Sequence, residues 1–339
     1  MTESVSQESE EYSEYASGAK PKIVTVGCGG AGCNTLSRME KSGISGSDTI
    51  AINTDAQDLL NTEADKKVLI GKKLTKGLGT GANPDVGRKA AMENEGDLRE
   101  ILSGYDLVFL TYGLGGGTGT GAGPVVASVA SRVGTLAVSI VTLPFEAEGK
   151  KKSQNASEGL SRLRENSDTT ILVPDDKLLE IAPDLSLAEA FELADSVLMD
   201  TIAGITEMMS KPGLINLDFE DIRTTFEDGD MGVLGFGEYG GQNRAKMAVK
   251  EALNNPLLDM DIKNAKKALI SVVGEPGMSL EEAESITGRI SERLHPSAQV
   301  AWGARITDSM KDSVKVMIVV SEARRPDEGK ALDLGLKKV

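Results

Sequence analysis

Gly113-Leu114-Gly115-Gly116-Gly117-Thr118-Gly119-Thr120-Gly121, entered from the apolar run Asp106–Tyr112 and followed by a helical pattern, is the stretch on which the fold turns. A glycine-rich turn between a strand and a helix exposes backbone amides with no Cβ in the way, at the positive end of the helix, and so suits phosphate. The same arrangement occurs earlier. The strand Lys22–Val26 runs into Gly27-Cys28-Gly29-Gly30-Ala31-Gly32-Cys33-Asn34, which satisfies G-x-G-x-x-G and opens a helix. Taken alone, that first turn reads as a dinucleotide site, with Asp55 near the place of a ribose-binding acid. A dinucleotide fold does not need the second turn. Two amide-lined turns at the carboxyl ends of two parallel strands, with the Thr118 and Thr120 hydroxyls added, argue for a nucleoside triphosphate. No G-x-x-x-x-G-K-[ST] occurs, so the phosphate charge falls to amides, hydroxyls and a metal. A third turn, Gly77-Leu78-Gly79-Thr80-Gly81-Ala82-Asn83-Pro84, has two readings: closure over the outermost phosphate, or a loop ended by Pro84 as a helix starter.

Around these turns, short β-branched runs alternate with helical stretches. Ile23–Val26, Thr49–Asn53, Lys67–Ile70, Asp106–Tyr112, Thr135–Thr142 and Thr169–Val173 read as strands; Ala31–Lys41, Asp85–Ser103, Gly121–Ser131 and Lys152–Asn166 read as helices. This is the pattern of a parallel α/β sheet. Ser186–Ser210 is a long apolar-periodic helix stopped by Lys211-Pro212-Gly213, read as a bridge between two domains. Beyond it, strand Met231–Gly237, helix Arg244–Asn254, strand Ala268–Val273, helix Leu280–Arg293 and the closely spaced strands Gln299–Ile306 and Val314–Ser321 give a smaller α+β domain. The organisation expected is a disordered tail over 1–20, a nucleotide domain over 21–185, the central helix over 186–210, the α+β domain over 211–323 and a second tail over 324–339.

Composition narrows the function. The 339 residues carry 37 Lys plus Arg against 52 Asp plus Glu, a net charge of -15 that repels nucleic acid and anionic lipid. Cys28 and Cys33 sit in one turn and the single histidine, His295, is remote, so neither a disulfide framework nor a zinc site is supported. Both cysteines read as small apolar packing, His295 as a loop residue and Trp302 as core. No apolar run approaches the roughly 20 residues of a membrane span, and the start is acidic and Ser-rich, so a cytoplasmic protein without direct membrane insertion is expected.

Gly115-Gly116-Gly117-Thr118-Gly119-Thr120-Gly121 matches the signature of the tubulin and FtsZ superfamily, its second threonine in the FtsZ form. The resemblance extends through Gly79–Pro84, Pro144-Phe145-Glu146-Ala147-Glu148-Gly149-Lys150-Lys151, Asp176-Lys177-Leu178-Leu179 and Gly213–Asp221, spanning about Pro21 to Ala323. The acidic composition and short tail lean toward an archaeal type. The resemblance implies a Rossmann-like GTPase domain, a long central helix and a smaller C-terminal domain, assembled head to tail into protofilaments at the division site. It implies that Gly29, Gly30, Ala31 and Gly32 cradle phosphates, that Asn34 and Asp195 read the guanine and that Phe191 stacks near the base. Gly116, Gly117, Thr118 and Gly119 would hold the outer phosphates, Glu148 would lie by the ribose, and Gly81, Ala82 and Asn83 would sense the terminal phosphate. Asn216, Asp218 and Asp221 would enter the site of the next subunit, where a carboxylate polarises the attacking water; the bland reading of both aspartates is a capped helix start before Phe219–Thr225. Mg²⁺ would be held mainly by phosphates, with a monovalent cation as a further cofactor. The C-terminal Leu332–Val339 resembles the tail by which such proteins dock membrane-anchoring partners; an unstructured end is its alternative.

Two positions depart from the family. Lys152 stands where an arginine is usual near the phosphates, keeping charge but losing the bidentate fork, which points to slower turnover. Asp175 stands where asparagine is common, which adds negative charge beside a polyanion. Two rivals remain: a nicotinamide-dependent oxidoreductase built on Gly27, Gly29, Gly32 and Asp55, and a cell-shape filament of the same superfamily with weak hydrolysis.

Overall fold

The computed structural model describes residues 20–44, 46–258 and 262–321. The tails expected over 1–20 and 324–339 therefore lie, Lys20 apart, outside the described residues. Among the described residues ten strands form one sheet: β1 (Ile23–Cys28), β2 (Asp48–Asn53), β3 (Lys66–Leu69), β4 (Leu107–Gly113), β5 (Leu136–Leu143), β6 (Thr169–Pro174), β7 (Asp230–Gly240), β8 (Lys267–Gly274), β9 (Gln299–Ile306) and β10 (Ser313–Ser321). Their order is β3-β2-β1-β4-β5-β6-β7-β10-β8-β9, parallel from β3 through β7. β10 then runs antiparallel to both neighbours, and β8 and β9 pair in parallel. The closely spaced strands of the sequence, β9 and β10, are thus not neighbours; β8 lies between them.

The helices are α1 (Gly29–Lys41), α2 (Ala56–Asn61), α3 (Lys72–Thr75), α4 (Pro84–Glu93), α5 (Glu95–Leu102), α6 (Thr118–Arg132), α7 (Lys150–Arg164), α8 (Asp175–Ile181), α9 (Leu187–Ser210), α10 (Phe219–Phe226), α11 (Arg244–Leu253) and α12 (Leu280–Ser291). The single helix expected over Asp85–Ser103 is two. Asn94 breaks it, leaving helical backbone at ψ 21°, with Oδ1 accepting from the Gly71 amide at 2.9 Å and Nδ2 donating to Asp97 at 2.7 Å.

The central strands β1, β4 and β5 are almost continuously buried, successive side chains entering opposite faces, so both faces of the sheet are covered there. Ile23, Phe109, Val138 and Ile171 pack with Leu36 and Met39 of α1, Leu198, Ile202 and Ile205 of α9, and Ile222 and Phe226 of α10. Val24, Val26, Val108 and Leu110 pack on the other face with Ala90, Leu98, Val126 and Leu160. A third cluster joins Ile270, Val316 and Ile318 to Val249 of α11 and Ile286 and Ile290 of α12; Trp302 is half-buried against it. Each fully buried aliphatic or aromatic side chain contributes about 1.5–3 kcal/mol.

The sheet order 3-2-1-4-5-6 reverses direction between β1 and β4. At such a switch point the connections leave on opposite faces and open a crevice at the carboxyl ends of the strands. Both glycine turns lie there.

Candidate functional site

A cavity of about 660 Å³ occupies this crevice. From β1 and α1 it is lined by Cys28, Gly29, Gly30, Ala31, Asn34 and Arg38, and from the β4–α6 turn by Gly113, Leu114, Gly116, Gly117, Thr118 and Gly119. Thr142, Pro144, Glu148, Lys152 and Asp175 close one side, and Ala188, Phe191, Glu192, Ala194, Asp195 and Leu198 of α9 another. Thr80 is the lining residue of the third turn.

Gly29 begins α1 at φ +69°, a conformation that turns the strand directly into the helix. At Gly30 a Cβ would meet only Asp58 Oδ2, at 3.5 Å, so this lining position is uncrowded. Gly32 does not line the cavity. A Cβ there would lie 2.5 Å from the Thr111 carbonyl, so this glycine lets α1 close on β4. In the second turn the labour is divided likewise. Gly116 has nothing within 4 Å of its would-be Cβ, whereas Cβ atoms on Gly117 and Gly121 would lie 2.0 Å from Thr80 Oγ1 and from the Pro84 carbonyl. The two hydroxyls divide as well: Thr118 Oγ1 lies 2.7 Å from Thr54 Oγ1 on the cavity wall, while Thr120 is buried and accepts from the Gly115 amide at 2.9 Å. Gly81, Ala82 and Asn83 are exposed beside the cavity rather than lining it, and Asn83 Oδ1 caps α4 by accepting from the Asp85 amide at 3.0 Å.

The other end of the cavity is built by α9. Ser186 and Glu189 form a capping box at its start. Ala188, Phe191, Glu192, Asp195 and Leu198 then follow at spacings of three and four, one helical face. Phe191 is 39% exposed and meets the Phe145 ring edge-on, centroids 5.3 Å apart. Asp195 Oδ1 accepts from Thr35 Oγ1 at 3.1 Å, and Oδ2 meets Arg38 Nε at 3.1 Å. Burial raises the Asp195 pKa, and Thr35 and Arg38 oppose the rise. A flat aromatic beside a carboxylate with both oxygens fixed suits a purine that offers two adjacent N–H donors.

Glu148 accepts from the Phe145 amide at 3.2 Å and pairs with Lys152, so this cavity-lining cation is already engaged. Asp175, expected to add negative charge, is 3% exposed; burial, then Glu148, Asp176 and Asp195, push its carboxyl up to about 8, so it is neutral at pH 7. Asp55 caps α2, accepting from the Gln57 and Asp58 amides at 2.9 and 3.1 Å, and does not line the cavity. The oxidoreductase reading loses its ribose acid. Cys28 and Cys33 are buried thiols whose pKa burial raises, His295 sits in a loop, and both cysteines pack as apolar residues.

Asn216, Asp218 and Asp221 are elsewhere, exposed in the segment after α9. Asn216 Oδ1 accepts from the Gly213 amide at 2.8 Å, and Asp218 and Asp221 accept from each other's amides at 2.9 and 3.2 Å, capping α10. The bland reading of the two aspartates is what their own chain shows. Among the lining residues, Arg38, Thr142 and Glu192 were not singled out from the sequence, and Thr80 was read only as part of the third turn; Arg38 was legible as the next turn of the Ala31–Asn34 face of α1.

The crevice, its paired amide turns and the purine face together define a GTPase domain of the tubulin/FtsZ class, and the description "Tubulin/FtsZ family, GTPase domain" matches residues 22–183, with "FtsZ family, C-terminal domain" over 230–324. Cell division protein FtsZ 1 of Methanocaldococcus jannaschii is 47% identical over 98% of this chain and 91% of its own length, and the Thermococcus kodakarensis protein of the same name 49% over 94% and 85%. A solved structure described as "FtsZ dimer, empty (M. jannaschii)" superimposes with a TM-score of 0.89 at 48% identity, covering 94% of this chain and 92% of that one. The chain belongs to the FtsZ family. It is a GTPase, and its nucleotides are GTP and GDP.

Proposed function

We propose that the protein forms the filaments of cell division and hydrolyses GTP to GDP and phosphate at the junction between two copies stacked head to tail. The observation that carries this is the length of α9. Its 24 residues separate the cavity at one end from Asn216, Asp218 and Asp221 beyond the other, and a helix of that length spans about 36 Å. A Cβ on Gly46, in the turn before β2, would lie 2.6 Å from Ser210 Oγ, so α9 ends at the amino edge of the parallel strands, opposite the cavity. The three side chains cannot reach their own chain's GTP. In a second copy translated along α9 they reach the next one, a heterologous contact that repeats without closing. There a carboxylate orients the attacking water while the amides of Gly30 and Gly116–Gly119 stabilise charge on the phosphates.

Asn34 and Asp195 read the guanine in this proposal, Phe191 stacks on it, and Glu148 with Lys152 lies at the ribose side. Gly81, Ala82 and Asn83 close on the terminal phosphate from beside the cavity. In this proposal Mg²⁺ is held mainly by the phosphates of the nucleotide, with a monovalent cation as a further cofactor. No described helix is long and apolar enough to cross a membrane. Attachment at the division site falls to the segment 324–339, docking a membrane-anchored protein.

GTP hydrolysis measured against protein concentration, with light scattering in parallel, tests the shared site. Asp218→Asn is the informative variant, because asparagine caps a helix as well as aspartate does while removing the carboxylate. The parent is expected to show a threshold concentration, and the variant to scatter light yet hydrolyse at least about a hundredfold more slowly. Hydrolysis linear in concentration and indifferent to Asp218 overturns the shared site.

A further inference from the structure

Asp175 opens α8 at the carboxyl end of β6. Its side chain forms part of the cavity wall, yet Oδ1 is buried with no hydrogen-bond partner in the protein. The charged groups around it come from every neighbouring element. Glu148 faces it from the 3₁₀ turn Glu146–Glu148, Asp176 from its own helix and Asp195 from α9, all acids. The nearby cations are held by other carboxylates: Lys152 of α7 by Glu148, Arg38 of α1 by Asp195 and Glu192, and Lys177 of α8 by Glu180. Asp176 accepts from the Glu146 amide, an anchor that Asp175 lacks. An ionised Asp175 would be a buried charge among three acids with no compensating donor, which is strongly unfavourable.

We propose that Asp175 engages the nucleotide as a neutral carboxylic acid, donating its O–H to an acceptor on the nucleoside half of the ligand. The proposal rests on the reading of the cavity given above, in which Phe191 and Asp195 take the base and the glycine turns take the phosphates. A protonated carboxyl has a donor and an acceptor side by side, as a side-chain amide has, so it fills an amide's place without adding charge beside a polyanion. The missing partner of the buried oxygen is then supplied by the ligand, and the proton is retained on binding.

The sign of the pH dependence follows. Affinity is constant while Asp175 is protonated and falls as pH rises through its pKa of about 8, because binding must then return a proton to the carboxylate. GDP binding, which avoids turnover, is measured calorimetrically for the parent and for Asp175→Asn between about pH 6.5 and about pH 9 in buffers of different ionisation enthalpy. The ligand's own titration is common to both proteins and cancels in their ratio. We expect the parent to lose about tenfold relative to Asp175→Asn over that range, and to take up about 0.9 proton per GDP bound at the upper end where the variant takes up none from this group. Parallel pH profiles, or the same proton uptake by both proteins at the upper pH, overturn the proposal while leaving the cavity reading intact. If GDP fails to bind the parent even at the lower pH, or ADP binds as tightly, the cavity reading falls and this proposal with it.

Discussion

Asp195 is held from one neighbouring helix at both oxygens, by Thr35 at Oδ1 and Arg38 at Oδ2, each at 3.1 Å. Two anchors one helical turn apart fix the plane of the carboxylate, and a fixed plane is what a bidentate partner requires. If Asp195 reads the N–H pair of guanine, Arg38 is a positioning residue whose loss is felt most by the ligand that uses both oxygens. Arg38→Met keeps the aliphatic stem on α1 and removes the charge. GTP affinity is expected to fall about tenfold. ITP, which lacks the exocyclic amine, should lose less, so that the GTP-to-ITP preference shrinks. Competition binding with both nucleotides checks it, and an equal loss for the two assigns Arg38 to structure alone. This residue carried a periodic signal in the sequence. The raised carboxyl of Asp175 carried none beyond its neighbour Asp176, because it arises first from burial and then from acids that include Glu148 and Asp195, which the fold brings in from other elements.

Between α4 and α6 the glycines do two jobs that look identical in the sequence. Gly116 faces the cavity, while Gly121 lets α6 pass against the Pro84 carbonyl, where a Cβ would stand 2.0 Å away. Gly116→Ala is therefore expected to leave the melting temperature of the nucleotide-free protein nearly unchanged and to weaken GTP binding. Gly121→Ala should cost about 1–3 kcal/mol by overpacking before any ligand is added. Thermal melts without nucleotide, followed by GTP titration, separate the two; equal melting losses would show that both glycines are there for packing. The strands and the turns after β1 and β4 were legible because short β-branched runs and glycine clusters are local signals. The break at Asn94 and the placing of β8 between β9 and β10 were not, since a side-chain bond to Gly71 and a strand order are set by contacts distant in the chain. The same limit applied to Asp218 and Asp221, whose spacing is that of a capping box whatever else they do.

At the scale of the whole molecule, the proposed shared site makes the cavity and the loop beyond α9 two halves contributed by different chains, and each half is then separately replaceable. Two variants follow, one with its cavity disabled by Asp195→Ala and an intact loop, the other Asp218→Asn with an intact cavity. Each alone should hydrolyse GTP poorly. In a filament grown from their mixture, a junction is complete where the cavity of the Asp218→Asn chain meets the loop of the Asp195→Ala chain. Random incorporation of equal amounts makes about a quarter of all junctions of that kind, so the mixture should recover up to about a quarter of the parental rate. Sedimentation of labelled chains shows whether both variants enter the same filament. Recovery requires the carboxylate to act across the junction, because neither parent of the mixture holds both halves in one chain. A mixed filament no more active than the sum of its parts would place hydrolysis within a single chain, and α9 would then have to bend or break to allow it.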